Sequence, residues 1–345
     1  MDYDRGRGFL SKLENPAMVY HKDADGVCSA VVLQELVKSA AHPNDGPGIQ
    51  LSEGLLESLK EGNSVVFLDI PIDQLQVVEN LKDRKIFVLD HHPPERDLTS
   101  ENILHMNPRF EDEDAYLPTS YLSYKLLGSR SKQAWKAAVG VIGDHGVKGC
   151  EDLFEDVGSE YPETIEKGIT YNSLKESKLG LIADMIDASK AVRGLDGIRR
   201  SFEVMKDARE PNDVLDTELK EFYEVYRREI ERAADDFRRN SEYFPRTNSY
   251  LYELSSRYSI GSDLSTELSN ENPDAVVIVY QIEDYGMKIS GRCQSGRVDV
   301  SKIIKGAVKD FGSGGGHPQA AGGFVESGKE ELALERFREK LEGID

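Results

Sequence analysis

Cysteine is scarce in this sequence: Cys28, Cys150 and Cys293 are its three cysteines, and no two of them have the CxxC spacing of thiolate sites. The sequence therefore predicts neither a disulfide framework nor a thiolate zinc site, but buried free thiols. It also has no apolar run long enough to cross a bilayer. Its first residues, MDYDRGRGFLSK, lack the apolar core of a secretory signal, so we expect a cytoplasmic protein without a membrane partner.

Basic residues are outnumbered by acidic ones, 43 Lys and Arg against 63 Asp and Glu, which gives a formal charge of −20. Phosphate backbones are usually held by basic surface, so the composition alone argues against a nucleic-acid partner. A metal centre would remove this objection. Divalent cations bring positive charge to a phosphate, and some of the excess acids would then be ligands.

Three short apolar runs in the first half each lead into an acid-bearing turn. The acids are Asp23, Asp69 and Asp90, and helical stretches at 27–39 and 73–81 separate the runs. Apolar runs that alternate with helices predict an α/β fold with a doubly wound, mainly parallel sheet. Ligands bind such sheets beyond the carboxyl ends of the strands, where these acids fall. The runs are residues 17–20, 65–68 and 86–89.

The pattern changes twice in the second half. Between residues 173 and 240, apolar positions recur at three- and four-residue steps, which predicts a helical connector. After Pro245, two predicted strands at 275–280 and 287–292 form a hairpin in a smaller α/β domain with a mixed sheet. The predicted helices of that domain are 300–311 and 330–341. The predicted domains are 1–190 (catalytic), 191–245 (helical connector) and 246–345 (substrate-binding).

Four segments of the first half concentrate carboxylates and imidazoles, the ligand types that Mn²⁺ and similar ions favour. A single strand-end acid is more often a helix cap than a ligand, and adjacent histidines are often solvent-facing turn residues. The combination differs, because clustered charges of one sign need a cation to neutralise them. Two ions sharing a carboxylate would activate a water and hold phosphoryl oxygens, which indicates hydrolysis. The segments are 21–26, Asp69, 90–92 and 143–146.

The same segments, in this order, resemble the DHH phosphoesterase superfamily. That superfamily includes RecJ exonucleases, NrnA oligoribonucleases, cyclic-dinucleotide phosphodiesterases and family II inorganic pyrophosphatases. The stretch 288–323, with the sequences ISGRC and GGGHPQAAGG, is similar to its DHH-associated substrate domain. The pyrophosphatases have a different C-terminal domain without the GGGH segment, so that activity is disfavoured. The resemblance extends from residue 17 to the C-terminus.

The resemblance implies a centre of two Mn²⁺ ions, with Mg²⁺ as a possible substitute. Asp23 would bind one ion, Asp25 the other, and Asp69 would bridge both. Asp90 would orient the histidine pair, because a carboxylate bonded to an imidazole fixes its tautomer. His92 would contact or protonate the scissile phosphate. The implied metal ligands are His21, Asp23, Asp25, Asp69, His91 and Asp144, and the implied catalytic residues are Asp69, Asp90 and His92.

Two histidines depart from the family pattern. His21 stands two residues before Asp23, whereas bacterial RecJ proteins have an Asp there and the pyrophosphatases have their histidine further upstream. We expect His21 to be a ligand. His145 matches no family position, and we expect a loop histidine there.

The glycine-rich segment near the C-terminus is the expected substrate site. Glycines allow close backbone approach, so their N–H groups can bind a phosphate. An arginine can donate two parallel hydrogen bonds to the oxygens of the same phosphate. A plain turn is the alternative for a run of this kind. A related segment in alanyl-tRNA synthetases indicates nucleic-acid contact only. The expected substrate-binding residues are Arg292, Gly314, Gly315, Gly316 and His317.

These features together predict a Mn²⁺-dependent, RecJ-like phosphodiesterase that digests single-stranded DNA or RNA, or short oligonucleotides, to mononucleotides. NrnA-like cleavage of short oligonucleotides or of phosphoadenosine phosphate is an open alternative. Compact archaeal RecJ-like proteins are similar, and some associate with the GINS replication complex, so a GINS-like partner is a further expectation. A replisome scaffold with a vestigial centre is the non-enzymatic alternative, but every expected metal ligand is present.

Overall fold

The computed structural model describes residues 1–81, 83–128 and 132–343. The chain divides into two compact units, Met1–Tyr223 and Glu224–Asp345. Strands β1 to β5 of the first unit are Ala17–Tyr20, Ala40–Pro43, Ser64–Leu68, Lys85–Leu89 and Ile103–Met106. Its helices α1 to α11 are Tyr3–Leu10, Ala24–Leu33, Glu53–Glu61, Val77–Asn80, Thr119–Leu127, Ala134–Gly143, Glu151–Glu160, Tyr171–Lys175, Lys178–Arg193, Leu195–Asp207 and Pro211–Leu215.

The strands of the first unit form one parallel sheet in the order β2-β1-β3-β4-β5. The strand order reverses between β1 and β3, so a crevice opens beyond the carboxyl ends of these two strands. Apolar clusters cover both faces, with Val66 and Leu68 in one cluster and Val65 and Phe67 in the other. Burial on both faces explains why β1, β3 and β4 are nearly continuous apolar runs. The doubly wound, mainly parallel sheet predicted from the sequence is confirmed.

Helix α2 overlaps the predicted stretch 27–39, but it begins earlier, at Ala24, and ends earlier, at Leu33. It begins early because the side chain of Asp23 accepts a hydrogen bond of 2.9 Å from the backbone N–H of Gly26. A Cβ at Gly26 would lie 2.1 Å from the carbonyl oxygen of His21, so only glycine lets the helix start this close to the end of β1. This early start places Asp23 and Asp25 beside His21.

The helical stretch predicted at 73–81 is only partly helical: a 3-10 turn, Ile72–Gln74, and the four-residue helix α4 replace one continuous helix. The buried carboxylate of Asp73 instead accepts hydrogen bonds from the backbone N–H groups of Glu95, at 2.5 Å, and Arg96, at 3.1 Å. Such side-chain to backbone bonds compete with helix formation. Here they hold the loop that follows segment 90–92.

Helices α10 and α11 contribute to the core of the first unit through residues such as Ile198, Phe202 and Val214. Helix α12, Glu218–Asn240, runs across the boundary between the two units. The domain limits at 190 and 245 stay predictions. Among the residues that the structure describes, no helix is both long and apolar enough to span a membrane.

The second unit contains a mixed sheet in the order β10-β11-β9-β8-β7-β6. Strands β7 and β8 are parallel and the other neighbours are antiparallel, so the predicted mixed sheet is confirmed. Helices α14 and α15 pack on one face and α12 and α13 on the other. Strands β6 to β11 are Glu242–Phe244, Ser249–Glu253, Val276–Glu283, Gly286–Arg292, Gly312–Gly316 and Ala320–Glu326. Helices α13 to α15 are Gly261–Glu271, Val300–Val308 and Glu330–Glu342.

The glycine-rich segment is the edge strand β10 rather than a plain turn. A Cβ at Gly314 would lie 2.9 Å from Cγ2 of Ile304, and one at Gly323 would lie 2.7 Å from the same atom. Gly314 and Gly323 are register partners on β10 and β11. These two glycines therefore let α14 pack closely on the sheet. A Cβ at Gly315 would meet nothing within 4 Å.

Candidate metal centre

The carboxyl ends of β1, β3 and β4 meet where the strand order reverses. Asp69 directly follows β3 and has a φ of 61°. This left-handed conformation costs a residue with a side chain about 1–2 kcal/mol, and such strain is concentrated at functional sites. Three overlapping donor groups form here, each with its ligand atoms within 4.8 Å of one another: His21, Asp23 and Asp69; Asp69, His91 and His92; and Asp25, His91 and Asp144.

Asp69 lies between two histidines that come from different strands. Its Oδ1 is 3.3 Å from Nε2 of His91, and its Oδ2 is 3.5 Å from Nδ1 of His21. The same nitrogen of His91 is 3.5 Å from Oδ2 of Asp144. On the other side, Nδ1 of His21 also contacts Oδ2 of Asp23. Asp69 therefore faces a different histidine with each of its two oxygens, and its bridging role stays a prediction.

His92 and Asp90 form a pair at the edge of this cluster. Nδ1 of His92 lies 2.8 Å from Oδ1 of Asp90, which is 1% exposed, whereas the His92 side chain is 34% exposed. The backbone of the histidine pair is also fixed, because Asn107 donates to the carbonyl oxygen of His92 and Arg109 to that of His91, each at 2.9 Å. The sequence indicated neither Asn107 nor Arg109.

The carboxylate of Asp25 also contacts the start of a helix, which was not predicted. Its two oxygens accept hydrogen bonds from the backbone N–H groups of Thr119, at 2.7 Å, and Ser120, at 2.9 Å, at the start of α5. The carboxylate thus satisfies N–H groups that a helix N-terminus leaves without partners. It still shares a donor group with His91 and Asp144.

Two further residues orient the predicted ligands. The hydroxyl of Tyr116 donates to Oδ2 of Asp144 at 2.8 Å, and the hydroxyl of Thr119 donates to Oδ1 of Asp69 at 3.3 Å. Such bonds fix the direction of a ligating carboxylate. A Pro-Thr-Ser sequence is typical of a helix start and could have placed Thr119 at the start of α5, but no local signal connects Tyr116 with Asp144.

The charges of the cluster shift the pKa values of its members strongly. Burial acts to raise the pKa of Asp69, but hydrogen bonds from His21 and His91 outweigh it and hold that pKa well below its usual range. Burial acts to lower the pKa of both histidines, and the nearby carboxylates overcome it. The pKa of His21 rises to about 10 through Asp23 and Asp69, and that of His91 rises to about 10 through Asp69.

The pKa values of Asp25 and Asp144 shift in the opposite direction to that of Asp69. Burial, reinforced by the charges of Asp69 and Asp144, raises the pKa of Asp25 well above its ordinary value. Burial raises the pKa of Asp144 to about 6, although His91 acts against the shift. Carboxylates that resist ionisation although His91 lies beside them have too little positive charge around them, and a bound cation would supply it.

The donor set fits divalent metal ions. It combines carboxylate oxygens with imidazole nitrogens, which suits Mn²⁺. Two donors that share an ion at about 2.1 Å each lie about 3.0–3.4 Å apart. Nε2 of His91 lies 3.3 Å from Oδ1 of Asp69 and 3.5 Å from Oδ2 of Asp144, and both distances are close to that range.

Two protein-family models match the chain. The N-terminal domain of the DHH family matches residues 17–144, and the DHHA1 domain matches residues 257–343. The chain belongs to the DHH family. The members of this superfamily are phosphoesterases, and all six expected metal ligands lie within the first match. No curated protein sequence matches the chain significantly.

Solved structures share the fold at low sequence identity. RecJ from Thermus thermophilus, in complex with Mn²⁺, aligns with a TM-score of 0.73 and 15% identity over 98% of this chain and 54% of that chain, so this chain spans about half its length. An exonuclease RecJ bound to manganese gives 0.72 and 14% over 100% and 95%. CDC45 from Entamoeba histolytica gives 0.57 and 12% over 99% and 98%. These likenesses show a RecJ-like α/β fold.

The DHHA1 domain places Arg292 and His317 in one row of its sheet. Arg292 of β9 is the register partner of Ala320, and Ala320 and His317 exchange both backbone hydrogen bonds. Partners across antiparallel strands project from the same face. Arg292 is half-buried and donates to the hydroxyls of Thr266, at 3.0 Å, and Ser262, at 2.9 Å. The two expected substrate-binding side chains thus share a face of the sheet.

The N–H groups of the glycine-rich strand do not all face the same way. Hydrogen-bonded and non-hydrogen-bonded pairs alternate in an antiparallel ladder, and His317 with Ala320 is a hydrogen-bonded pair. Gly315 therefore bonds to β11, while the N–H groups of Gly314 and Gly316 point toward the open edge. The substrate-binding role of these glycines stays a prediction, and it applies to the backbone of two of the three.

Proposed function

We propose that this DHH-family phosphoesterase is a Mn²⁺-dependent phosphodiesterase that hydrolyses single-stranded DNA or RNA, or short oligonucleotides, to mononucleotides. The observation that carries the proposal is the position of Asp69, which faces His91 with one oxygen and His21 with the other. The DHHA1 domain supports a nucleotide substrate, because Arg292 can offer its guanidinium to a phosphate. The solved relatives named as RecJ exonucleases agree with this substrate class.

The residues of the centre divide into ligands and a proton donor. His21, Asp23 and Asp69 would hold one ion, and Asp25, Asp69, His91 and Asp144 the other. Bound divalent ions would supply an activated water and positive charge for the phosphoryl oxygens.

His92 is the expected proton donor. Burial lowers its pKa, but the hydrogen bond and charge of Asp90 raise it overall. With Nδ1 bonded to Asp90 at 2.8 Å, the proton on Nε2 is free to reach the leaving oxygen from the exposed edge of the cluster.

Two alternatives share parts of this account. NrnA-like cleavage of very short oligonucleotides or of phosphoadenosine phosphate would use the same centre and differ only in substrate length. A replisome scaffold with a GINS-like partner would need no metal ligands, and the fold is shared with CDC45. The donor groups of this chain are complete for all six expected ligands, which favours an enzyme.

End-labelled DNA and RNA strands of graded length, incubated with Mn²⁺ and resolved at single-nucleotide steps, test the proposal. We expect mononucleotide products that accumulate from the first time point. Activity confined to dinucleotides and phosphoadenosine phosphate would support the NrnA-like alternative. No cleavage of any strand with Mn²⁺ or Mg²⁺ would contradict the enzyme and support the scaffold.

A further inference from the structure

A stacked pair of aromatic rings lies directly beside the candidate metal centre. The rings of His145 and Tyr171 have centroids 4.5 Å apart and an interplanar angle of 29°. His145 is exposed, and it follows Asp144 immediately in the chain. Neither ring belongs to the three donor groups found among the described residues. The pair is therefore next to the centre without being part of it.

The backbone at His145 is of a kind that glycine usually occupies. Helix α6 ends with Asp144 as its C-cap, and His145 follows with a φ of 57°. The N–H of Gly146 bonds to the carbonyl oxygen of Val141 at 3.0 Å, which closes the helix end. Glycine or asparagine is the common residue at this left-handed position. A histidine here is strained, and the tolerated strain indicates a use for its ring.

The backbone of Tyr171 is fixed by the cap of its helix. It is the first residue of α8, and the preceding Thr170 forms a capping box with Ser173. The ring is half-buried, so its position against His145 is fixed by packing. Lys175, the last residue of α8, forms an ion pair with Asp184, so its charge already has a partner. The exposed member of the stacked pair is the ring of His145.

We propose that His145, supported by Tyr171, is a stacking platform for a nucleobase of the substrate, on one of the nucleotides that flank the scissile phosphate. This inference rests on the proposed function and narrows its substrate to phosphodiesters that carry a base. An aromatic ring stacks on any base, so the platform gives affinity without sequence preference. It also helps a strongly acidic protein to bind nucleic acid, because stacking needs no basic surface.

The test uses dinucleotides with a non-hydrolysable methylenephosphonate linkage and 2-aminopurine on either side of it, bound to the Mn²⁺-loaded protein. Stacking quenches 2-aminopurine fluorescence. We expect quenching at one of the two positions, and about a tenfold to hundredfold weaker Kd when that position is abasic. In H145G the quenching and the preference for a base should disappear, while the Kd for the abasic compound and the Mn²⁺ content stay unchanged.

H145G also separates binding from folding. Glycine suits the left-handed backbone, so the Tm of this variant should be no lower than that of the wild type. H145F keeps an aromatic ring and should retain the preference, and H42A, at an exposed histidine on β2, should behave as the wild type. The platform would be overturned if H145G still bound the base-bearing compound more tightly than the abasic one. It would also be overturned if H145G lost affinity equally for both compounds.

The outcome also distinguishes this inference from the proposed function. If the protein hydrolyses strands but binds the abasic compound as tightly as the base-bearing one, the platform is wrong and the phosphodiesterase stands. If 2-aminopurine is quenched at one position but no strand is hydrolysed, the platform stands and the proposed phosphodiesterase activity is wrong.

Discussion

The two sheets of this protein carry their charged residues in different ways. In the first unit, Asp25, Asp69 and His91 are 1–3% exposed and face other charged groups. In the second, Arg292 is half-buried and donates to neutral hydroxyls of α13. Buried groups of like charge require a cation among them. An arginine that is held by neutral hydroxyls has no negative partner there, so its charge is available to an anion. If the first sheet carries the chemistry and the second the substrate binding, as proposed, variants of the two sheets should fail differently.

The largest effect is expected from Asp69→Asn. An amide cannot balance two cations with one bridging group, so turnover should fall on the order of a thousandfold or more. Rates on an end-labelled oligonucleotide measure the loss, and circular dichroism checks the fold. Asp73→Asn is the matched control, since Asp73 is also buried and accepts from the backbone of Glu95 and Arg96, but belongs to none of the donor groups found among the described residues. Equal losses in both variants would show that buried charge in general, rather than a metal bridge, is what matters.

A smaller, different loss is expected from Arg292→Ala. A charged hydrogen bond to phosphate is commonly worth about 1.5–3 kcal/mol, so KM on short oligonucleotides should rise about tenfold to hundredfold. On long strands the rise should be smaller, because other backbone contacts remain. Metal content should not change. Arg338→Ala, which removes an exposed partner of Glu242, is the control, and a fall in kcat alone for Arg292→Ala would contradict a binding role.

Much of the first sheet could be predicted because its strands and ligands are contiguous in sequence. Runs that end at Asp69 and Asp90 are buried on both faces, and that burial leaves an unbroken apolar signal. Strand β2 gave no such signal, since AAHP is partly exposed and ends in proline. Strand β10 gave none either, because GSGGG has no strand propensity.

The supporting contacts of the site could not be predicted for a different reason. Tyr116 bonds to Asp144 and Thr119 to Asp69, at separations of 28 and 50 residues. Only the packed fold decides such pairs. The backbone strain at Asp69 and His145 was equally hidden, since neither residue type requires a left-handed conformation.

The first sheet should also respond to pH when metal is removed. The pKa values of His21 and His91 rise from 6.5 to about 10 in the folded protein. Their contribution to stability is therefore complete below pH 6.5 and is lost as the pH rises toward 10. The Tm of metal-free protein should fall across this range, and Mn²⁺ should reduce the fall by replacing the protons. His21→Ala should flatten the profile, whereas His42→Ala should leave it unchanged; a flat wild-type profile would contradict the charge pattern of the cluster.

The smallest effects concern the glycine strand of the second sheet. Gly314→Ala would press a methyl group against Ile304, so it should lower the free energy of unfolding by about 1–3 kcal/mol. Gly315→Ala meets nothing within 4 Å and should change stability little. Urea denaturation measures both. Equal effects at the two positions would contradict the close packing of α14 on β10.

The requirement for metal tests the central claim most directly. Protein treated with a chelator and dialysed should hydrolyse no end-labelled oligonucleotide, and added Mn²⁺ should restore turnover. Mg²⁺ should be a weaker substitute and Zn²⁺ poor or inhibitory, because a mixed set of carboxylates and imidazoles suits Mn²⁺. Full activity in the chelated protein without added metal would show that the cluster around Asp69 is not the catalytic centre.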